Sequence, residues 1–396
     1  MISMDRTVFT EGSDASSRML EYGSLVKELH IIVFSRQSLG LKSGRIAENI
    51  WLYPTNSPNR FMYIFDAARI GRRLFFVSAE MEVAGEKMGV HENLADIVTA
   101  QDPFECGLAG WLIAAKLAVP LHLQIHTDFM SPLYRAESLL NKIRVLLARF
   151  LLRRPGVSVR AVSGRIKRSI AEKVSFPYGK FPRVIVLPIF IDIDIIRNAP
   201  ILFDLHDKFP EWKRIILVVS RLEREKGVDA ALQIFSSIPA TNWSSVGLCV
   251  AGDGGEREHL GRLAEKLGIA ERVAFLGHIP QSDLFSCYKT ADLLLVASRY
   301  EGYGRQIMEA AASGCPVLSY DVGIAPEALT YWNGSVCPPG NMKCMKDTLR
   351  NWFTEEGLPE GLLIASRGAA AKMQSETKEE YLTKYQKMWE EAVRSE

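Results

Sequence analysis

The apolar residues of this chain come in short unbroken runs instead of strict alternation, and that constrains the fold more than any other property. LHIIVFS at 29–35, FPRVIVL at 181–187, RIILVVS at 214–220 and LLLVA at 293–297 read as strands buried on both faces, the kind that parallel sheets use, and LHLQI at 121–125 reads as a further strand. Polar loops and stretches rich in helix formers separate them, so strand and helix alternate almost throughout. A parallel sheet needs such helices as crossovers, and the arrangement predicted is α/β and doubly wound. With 396 residues, 47% of them hydrophobic, the chain can bury two full cores. The stretch 188–212, with Asp192, Asp194, Pro200, Pro210 and no clear period, reads as the linker between them.

The run at 293–297 leads into RYEGYG at 299–304 and then into RQIMEAAAS, which is rich in helix formers. Gly302 and Gly304 permit a tight turn, so this is a strand, loop and helix unit. A helix start exposes unpaired N–H groups and the positive end of the macrodipole, which can hold a diphosphate by backbone alone. Glu301 and Glu309 stand seven intervening residues apart around that turn. Each carboxylate can accept hydrogen bonds from sugar or ribose hydroxyls, although a loop glutamate and a helix glutamate are also ordinary surface residues. The run at 214–220 has a similar sequel, RLEREKGVDAALQIF, which carries Arg221 and Lys226 across a short loop into an amphipathic helix. No Asp-x-Asp pair accompanies these segments, so no divalent metal site is expected and anionic charge would fall to Arg221, Lys226 and backbone amides. Gly252-x-Gly254 is a weak dinucleotide fingerprint, because Arg257 stands where a third glycine should.

Taken together, SRYEGYGRQIMEAAASGCPVLSYDVGIAPE at 298–327 resembles the signature of retaining glycosyltransferases of family 4, and 221–235 is similar to that family's diphosphate-binding segment. The resemblance is dense from 213 to 327, thinner from 95 to 187 and faint before 61. It implies the GT-B fold, two doubly wound Rossmann-like domains facing a cleft. The acceptor-side domain is expected over 1–190 and the nucleotide-sugar donor domain over 191–375, with a C-terminal helix at 376–396 crossing back to the first. The implied activity moves a sugar from a nucleoside diphosphate to an acceptor hydroxyl with retention, in polysaccharide or glycolipid synthesis. Arg221, Lys226, Gly302, Tyr303, Gly304 and Glu309 would bind the donor, with Glu301 orienting its sugar and Glu309 its ribose. His126, at the mouth of the strand 121–125, would help place the reacting centre. Only Gly12 stands where the family usually has paired glycines in its first loop. Two other classes share the architecture: a sugar-nucleotide epimerase and a non-catalytic partner subunit.

Charge is unevenly spread. Residues 135–168 hold ten Lys and Arg against Glu137 alone, a local +9 in a chain of net +2, so the remainder carries −7. Within that segment Leu139, Ile143, Leu146, Leu147 and Phe150 recur at helical spacing with Lys142, Arg149 and Arg153 along one flank. Such a helix can rest on an anionic membrane that carries a lipid-linked or glycan acceptor, or it can pack on the sheet with a solvated basic edge. Few aromatic residues interleave the charges, so no nucleic acid partner is expected. No apolar run approaches the roughly 18 residues of a membrane-spanning helix. MISMDR lacks the layout of a signal peptide, and the six cysteines have no CxxC spacing. We expect reduced cysteines and a cytoplasmic protein, peripheral on the inner face of the membrane.

Overall fold

The computed structural model of the chain describes residues 1–80, 95–174, 181–238, 245–329, 333–352 and 360–394. It contains two α/β units, residues 1–188 with 378–396, and residues 189–377.

In the first unit the strands are β1 (Ile2–Ser3), β2 (Leu29–Val33), β3 (Gly44–Ala47), β4 (Ile50–Pro54), β5 (Val98–Ala100), β6 (Leu121–Ile125), β7 (Val157–Ala161) and β8 (Arg183–Val186). Their spatial order is β3-β4-β2-β1-β5-β6-β7-β8, parallel except for the edge strand β3 against β4. The chain winds outward from β1 in one direction and then in the other, as its apolar runs predict. The helix after β1 is Asp14–Gly23, with the Ser13 side chain capping it by accepting from the Ser16 N–H. It stops because Asn49 donates to the carbonyls of Gly23 and Val26, at 2.8 and 3.0 Å, and turns the chain toward β2.

The second unit has β9 (Arg214–Val219), β10 (Val246–Ala251), β11 (Val273–Gly277), β12 (Leu293–Val296), β13 (Val317–Tyr320) and β14 (Gly334–Cys337). The order is β11-β10-β9-β12-β13-β14, all parallel. Winding reverses between β9 and β12, and in open α/β sheets ligands bind beyond the carboxyl ends of the strands at that reversal. Helices cover a core in which Ile216, Leu217, Leu248, Leu294 and Val317 are wholly buried.

Three sequence expectations fail here. The supposed linker folds into the second unit as helices Ile193–Asn198 and Leu205–Lys208, with Ile193, Ile196, Leu205 and Trp212 buried in its core. Six and four residues are too few to display a helical period. Asp192, counted as linker polarity, is instead an N-cap that accepts from the Ile195 N–H at 2.9 Å. The cysteines are not all reduced: Cys337 and Cys344 form a disulfide joining the end of β14 to helix Met342–Trp352. The other four are free and buried. Last, Arg160 does not contribute to a surface charge, being 2% exposed on β7.

Arg160 is tied down by the C-terminal helix Lys378–Val393. Its guanidinium donates to the carbonyls of Leu187 and Pro188, to Gln124 Oε1 at 3.1 Å and to the Tyr381 hydroxyl at 2.8 Å. A buried cation is tolerable only when its donors are met this fully. Tyr385 stacks on Tyr22 with centroids 4.4 Å apart, and Trp389 meets Tyr385 edge-on. The aromatic face repeating every four residues therefore docks on the first unit.

The basic helix spans Leu139–Leu152, capped by Ser138. Its inward face is Val145, Ala148, Leu151 and Leu152, whereas Leu139, Ile143 and Leu146 are 72, 53 and 65% exposed. The stripe picked out by spacing is the outward one. No described helix is long and apolar enough to cross a membrane.

Candidate functional site

Two loops converge at the winding reversal of the second unit. Beyond β9, residues 221–226 end in the short turn Arg224–Lys226, and beyond β12 the chain runs Ser298–Gly304 into helix Arg305–Ala312. They are fastened by backbone: the Arg299 N–H donates to the Glu225 carbonyl at 2.8 Å. Gly227 has φ +64°, and a Cβ there would lie 2.0 Å from the Ala297 carbonyl oxygen. Only glycine permits that approach. The GDG segment beyond β10 has the same purpose, since a Cβ on Gly252 would lie 1.8 Å from the Ser220 carbonyl oxygen. Its glycines are there for loop packing, which the fingerprint comparison could not reveal.

The packing brings Lys226 onto Glu301. Lys226 Nζ lies 2.7 Å from Glu301 Oε1, with side chains 16 and 9% exposed. Ser298 Oγ at 3.0 Å and Gln306 Nε2 at 3.2 Å donate to the same oxygen. Three donors thus hold Oε1 and orient Oε2. Gly304, at φ +88°, starts the helix in a left-handed conformation that glycine adopts without strain. Tyr303 is buried, and its carbonyl accepts from the Ile324 N–H at 2.7 Å. Burial pushes its hydroxyl up to about 12. Gly323 presses on this loop so closely that a Cβ would meet the Tyr303 carbonyl at 2.2 Å. Gly302 follows Glu301 at the bend between β12 and the helix.

Glu309 is 6% exposed. Tyr288, wholly buried on helix Gln281–Thr290, donates its hydroxyl to Oε2 at 3.0 Å, and Arg305 reaches Oε1 at 3.3 Å. Tyr288 was missed from sequence because its helix spacing marks it only as core. Arg221 does not join the pair. It is 71% exposed and bridges to Glu225 at 3.3 Å.

In the first unit His126 follows β6 and is half-buried, with its Nε2 shut off from solvent and without a hydrogen-bond partner among the described residues. Burial, and secondarily the charges of Arg160 and Arg18, lower it to about 3, so the ring is neutral. Gly12 makes the left-handed turn before helix Asp14–Gly23. Asp102 caps helix Glu105–Leu117 by accepting from the Phe104 and Cys106 N–H groups at 2.7 and 3.2 Å.

Residues 206–367, which lie within the second unit, match the family model of glycosyl transferases group 1. Among curated relatives, the alpha-monoglucosyldiacylglycerol synthase of Streptococcus pneumoniae is 30% identical over 233 residues, covering 57% of this chain and 52% of that protein. A D-inositol 3-phosphate glycosyltransferase of Mycolicibacterium smegmatis is 30% identical over 164 residues, 41% of this chain and 37% of its own. The chain thus spans about half or less of the length of these relatives. Solved structures match end to end. Sucrose-phosphate synthase of Thermosynechococcus elongatus has a TM-score of 0.74 at 16% identity, covering 100% of this chain and 99% of its own. Anabaena HepE in complex with UDP-glucose gives 0.67 at 17%, covering 98% of each chain. WaaG, a glycosyltransferase involved in lipopolysaccharide biosynthesis, gives 0.66 at 17%, again over 98% of each. At these identities the likeness establishes the fold, which is GT-B.

Proposed function

We propose that the chain is a retaining glycosyltransferase that moves a sugar from a nucleoside-diphosphate sugar to an acceptor hydroxyl. The observation that carries this is the Lys226–Glu301 pair at the winding reversal, 2.7 Å apart and largely buried. An ammonium donates up to three hydrogen bonds, so Lys226 can keep Glu301 and still meet the leaving diphosphate. Preorganised charge at the point where charge develops is usually the largest catalytic term. Arg221 would join by leaving Glu225, and an exposed pair of that kind costs only about 0–1 kcal/mol to open. Glu301 Oε2, set by the three donors on Oε1, would accept from a sugar hydroxyl. Glu309 would hold the ribose, and neutral His126 would help place the reacting centre. The diphosphate charge is met by side chains and the amides at the start of helix Arg305–Ala312, with no metal required. That HepE was solved with UDP-glucose supports a nucleotide-sugar donor.

The acceptor in this proposal is membrane-borne, in polysaccharide or glycolipid synthesis. The outward Leu139, Ile143 and Leu146 beside Lys142 and Arg149 favour docking of the first unit on anionic lipid at the cytoplasmic face. The name of the pneumococcal relative, a glycolipid synthase, points the same way.

The test is a screen of UDP-, ADP- and GDP-sugars against lipid extracts, reading nucleotide release. One donor should be consumed only when acceptor is present. Conversion of a donor to its isomer without acceptor would instead identify an epimerase, and no turnover together with no nucleotide binding would leave a non-catalytic subunit.

A further inference from the structure

Tyr288 has no place in the proposed chemistry, yet it is a fully buried tyrosine whose hydroxyl is spent on a site carboxylate. We propose that Tyr288 is the positioning residue that sets Glu309 to receive a ribose diol, an assignment that rests on the donor site proposed above. The Tyr288 hydroxyl donates to Oε2 at 3.0 Å from helix Gln281–Thr290, an element separate from the one that bears Glu309. Arg305, one turn before Glu309, holds the other oxygen at 3.3 Å. A carboxylate offers about four lone-pair sites. With one site on each oxygen occupied by protein, each oxygen keeps acceptor capacity for one hydroxyl, and two adjacent hydroxyls are what a ribose presents.

Arg305 alone cannot fix the carboxylate. It is 39% exposed and contacts one oxygen from the same helix, so it leaves the other oxygen unset. Tyr288 is rigid by burial. Desolvation, and then the charge of Glu309, pushes its hydroxyl well above the ordinary tyrosine range, so it remains a donor whenever the protein is folded. Losing it would leave a buried carboxylate oxygen unpaired, which the side chain would relieve by turning toward Arg305 and away from the ribose.

The test measures affinities of the full chain for UDP, ADP and GDP, takes the tightest, and repeats with its 2′-deoxy and 3′-deoxy forms. Wild type should bind the ribose form about tenfold more tightly than either deoxy form, because a site built for a hydroxyl is left unpaired without it. Tyr288→Phe should bring that ratio to within about threefold by weakening the ribose form alone. Glu309→Gln should do the same, and the double variant should add nothing further. A tyrosine that only fills the core predicts equal weakening of ribose and deoxy forms, and an unchanged ratio in Tyr288→Phe overturns the assignment. In case Tyr288→Phe does not fold, 4-aminophenylalanine at 288 keeps both ring and donor and should retain the wild-type ratio; its loss there would also overturn the assignment. Wild type that binds none of the three diphosphates refutes the donor site itself, whereas binding with no ribose preference refutes only the placement of the diol on Glu309 by Tyr288.

Discussion

Replacing Lys226 by Met should damage folding and donor binding together, because its ammonium holds Glu301 and is proposed to meet the donor diphosphate. Nζ lies 2.7 Å from Glu301 Oε1 and the two side chains are 16 and 9% exposed. Removing one partner from a buried ion pair costs about 3–5 kcal/mol, since the other charge stays behind. Ser298 and Gln306 continue to donate to the same oxygen, and each such bond to a charged group is worth about 1.5–3 kcal/mol. The loss therefore belongs at the low end, about 3 kcal/mol. For a unit of the size of 189–377, 1 kcal/mol moves Tm by about 2–4 °C, so the transition of that unit should fall by about 6–12 °C. Adding Glu301→Gln removes the stranded charge, so the double variant should melt above Lys226→Met. Calorimetry of the four proteins gives the stability cycle, and titration with nucleoside diphosphates should show ten- to a hundredfold weaker binding, from a charge-assisted contact of about 1.5–3 kcal/mol. Lys226→Met within about 1 °C of wild type and with unchanged binding would refute the account of this pair.

Gly227→Ala should cost about 2 kcal/mol or more and weaken nucleotide binding, since its Cβ would meet the Ala297 carbonyl at 2.0 Å, whereas Gly255→Ala, with open space around it, should be silent in the same melts. Burial lowers His122 and His126 from 6.5 to about 3. The unfolded chain binds those protons first as pH falls, so their contribution to stability is complete above about pH 6.5. It is lost toward pH 3, by about 1.4 kcal/mol per unit for each ring. Melts from pH 7.5 to 5 should therefore flatten in a His122→Gln/His126→Gln double variant, and an unchanged slope would contradict the buried neutral rings. Transfer should survive EDTA; activity lost to chelation and restored by Mg²⁺ or Mn²⁺ would show a metal in the mechanism. The protein should sediment with anionic but not zwitterionic vesicles, less so as salt screens the attraction, and Leu139, Ile143 and Leu146 all changed to Gln should abolish it without altering nucleotide binding.

The sheets were legible because a strand buried on both faces leaves an unbroken apolar run: 214–220 and 293–297 exceed β9 and β12 by one residue each. Glu301 and Lys226 could be singled out because glycines and cations cluster at strand ends. That they pair with one another could not, since the contact depends on Gly227 seating one loop against the other. Tyr288 lay hidden for the opposite reason, as a tyrosine on an amphipathic helix has the same pattern whether it fills a core or orients a carboxylate. The helix Leu139–Leu152 left two readings open because both of its faces carry apolar residues, and spacing alone does not say which one the sheet takes. The disulfide joins cysteines seven residues apart across a strand end and a helix start, a spacing with no signature of its own.

The central claim is transfer with retention from a nucleotide sugar. A donor labelled with ¹³C at its anomeric carbon, incubated with the protein and the acceptor found by the screen, reports this by NMR. An α-linked donor should give an α-linked product, with the label moved to the acceptor and the nucleoside diphosphate released. A β-linked product, or label that stays on the nucleotide as an isomeric sugar, would contradict it.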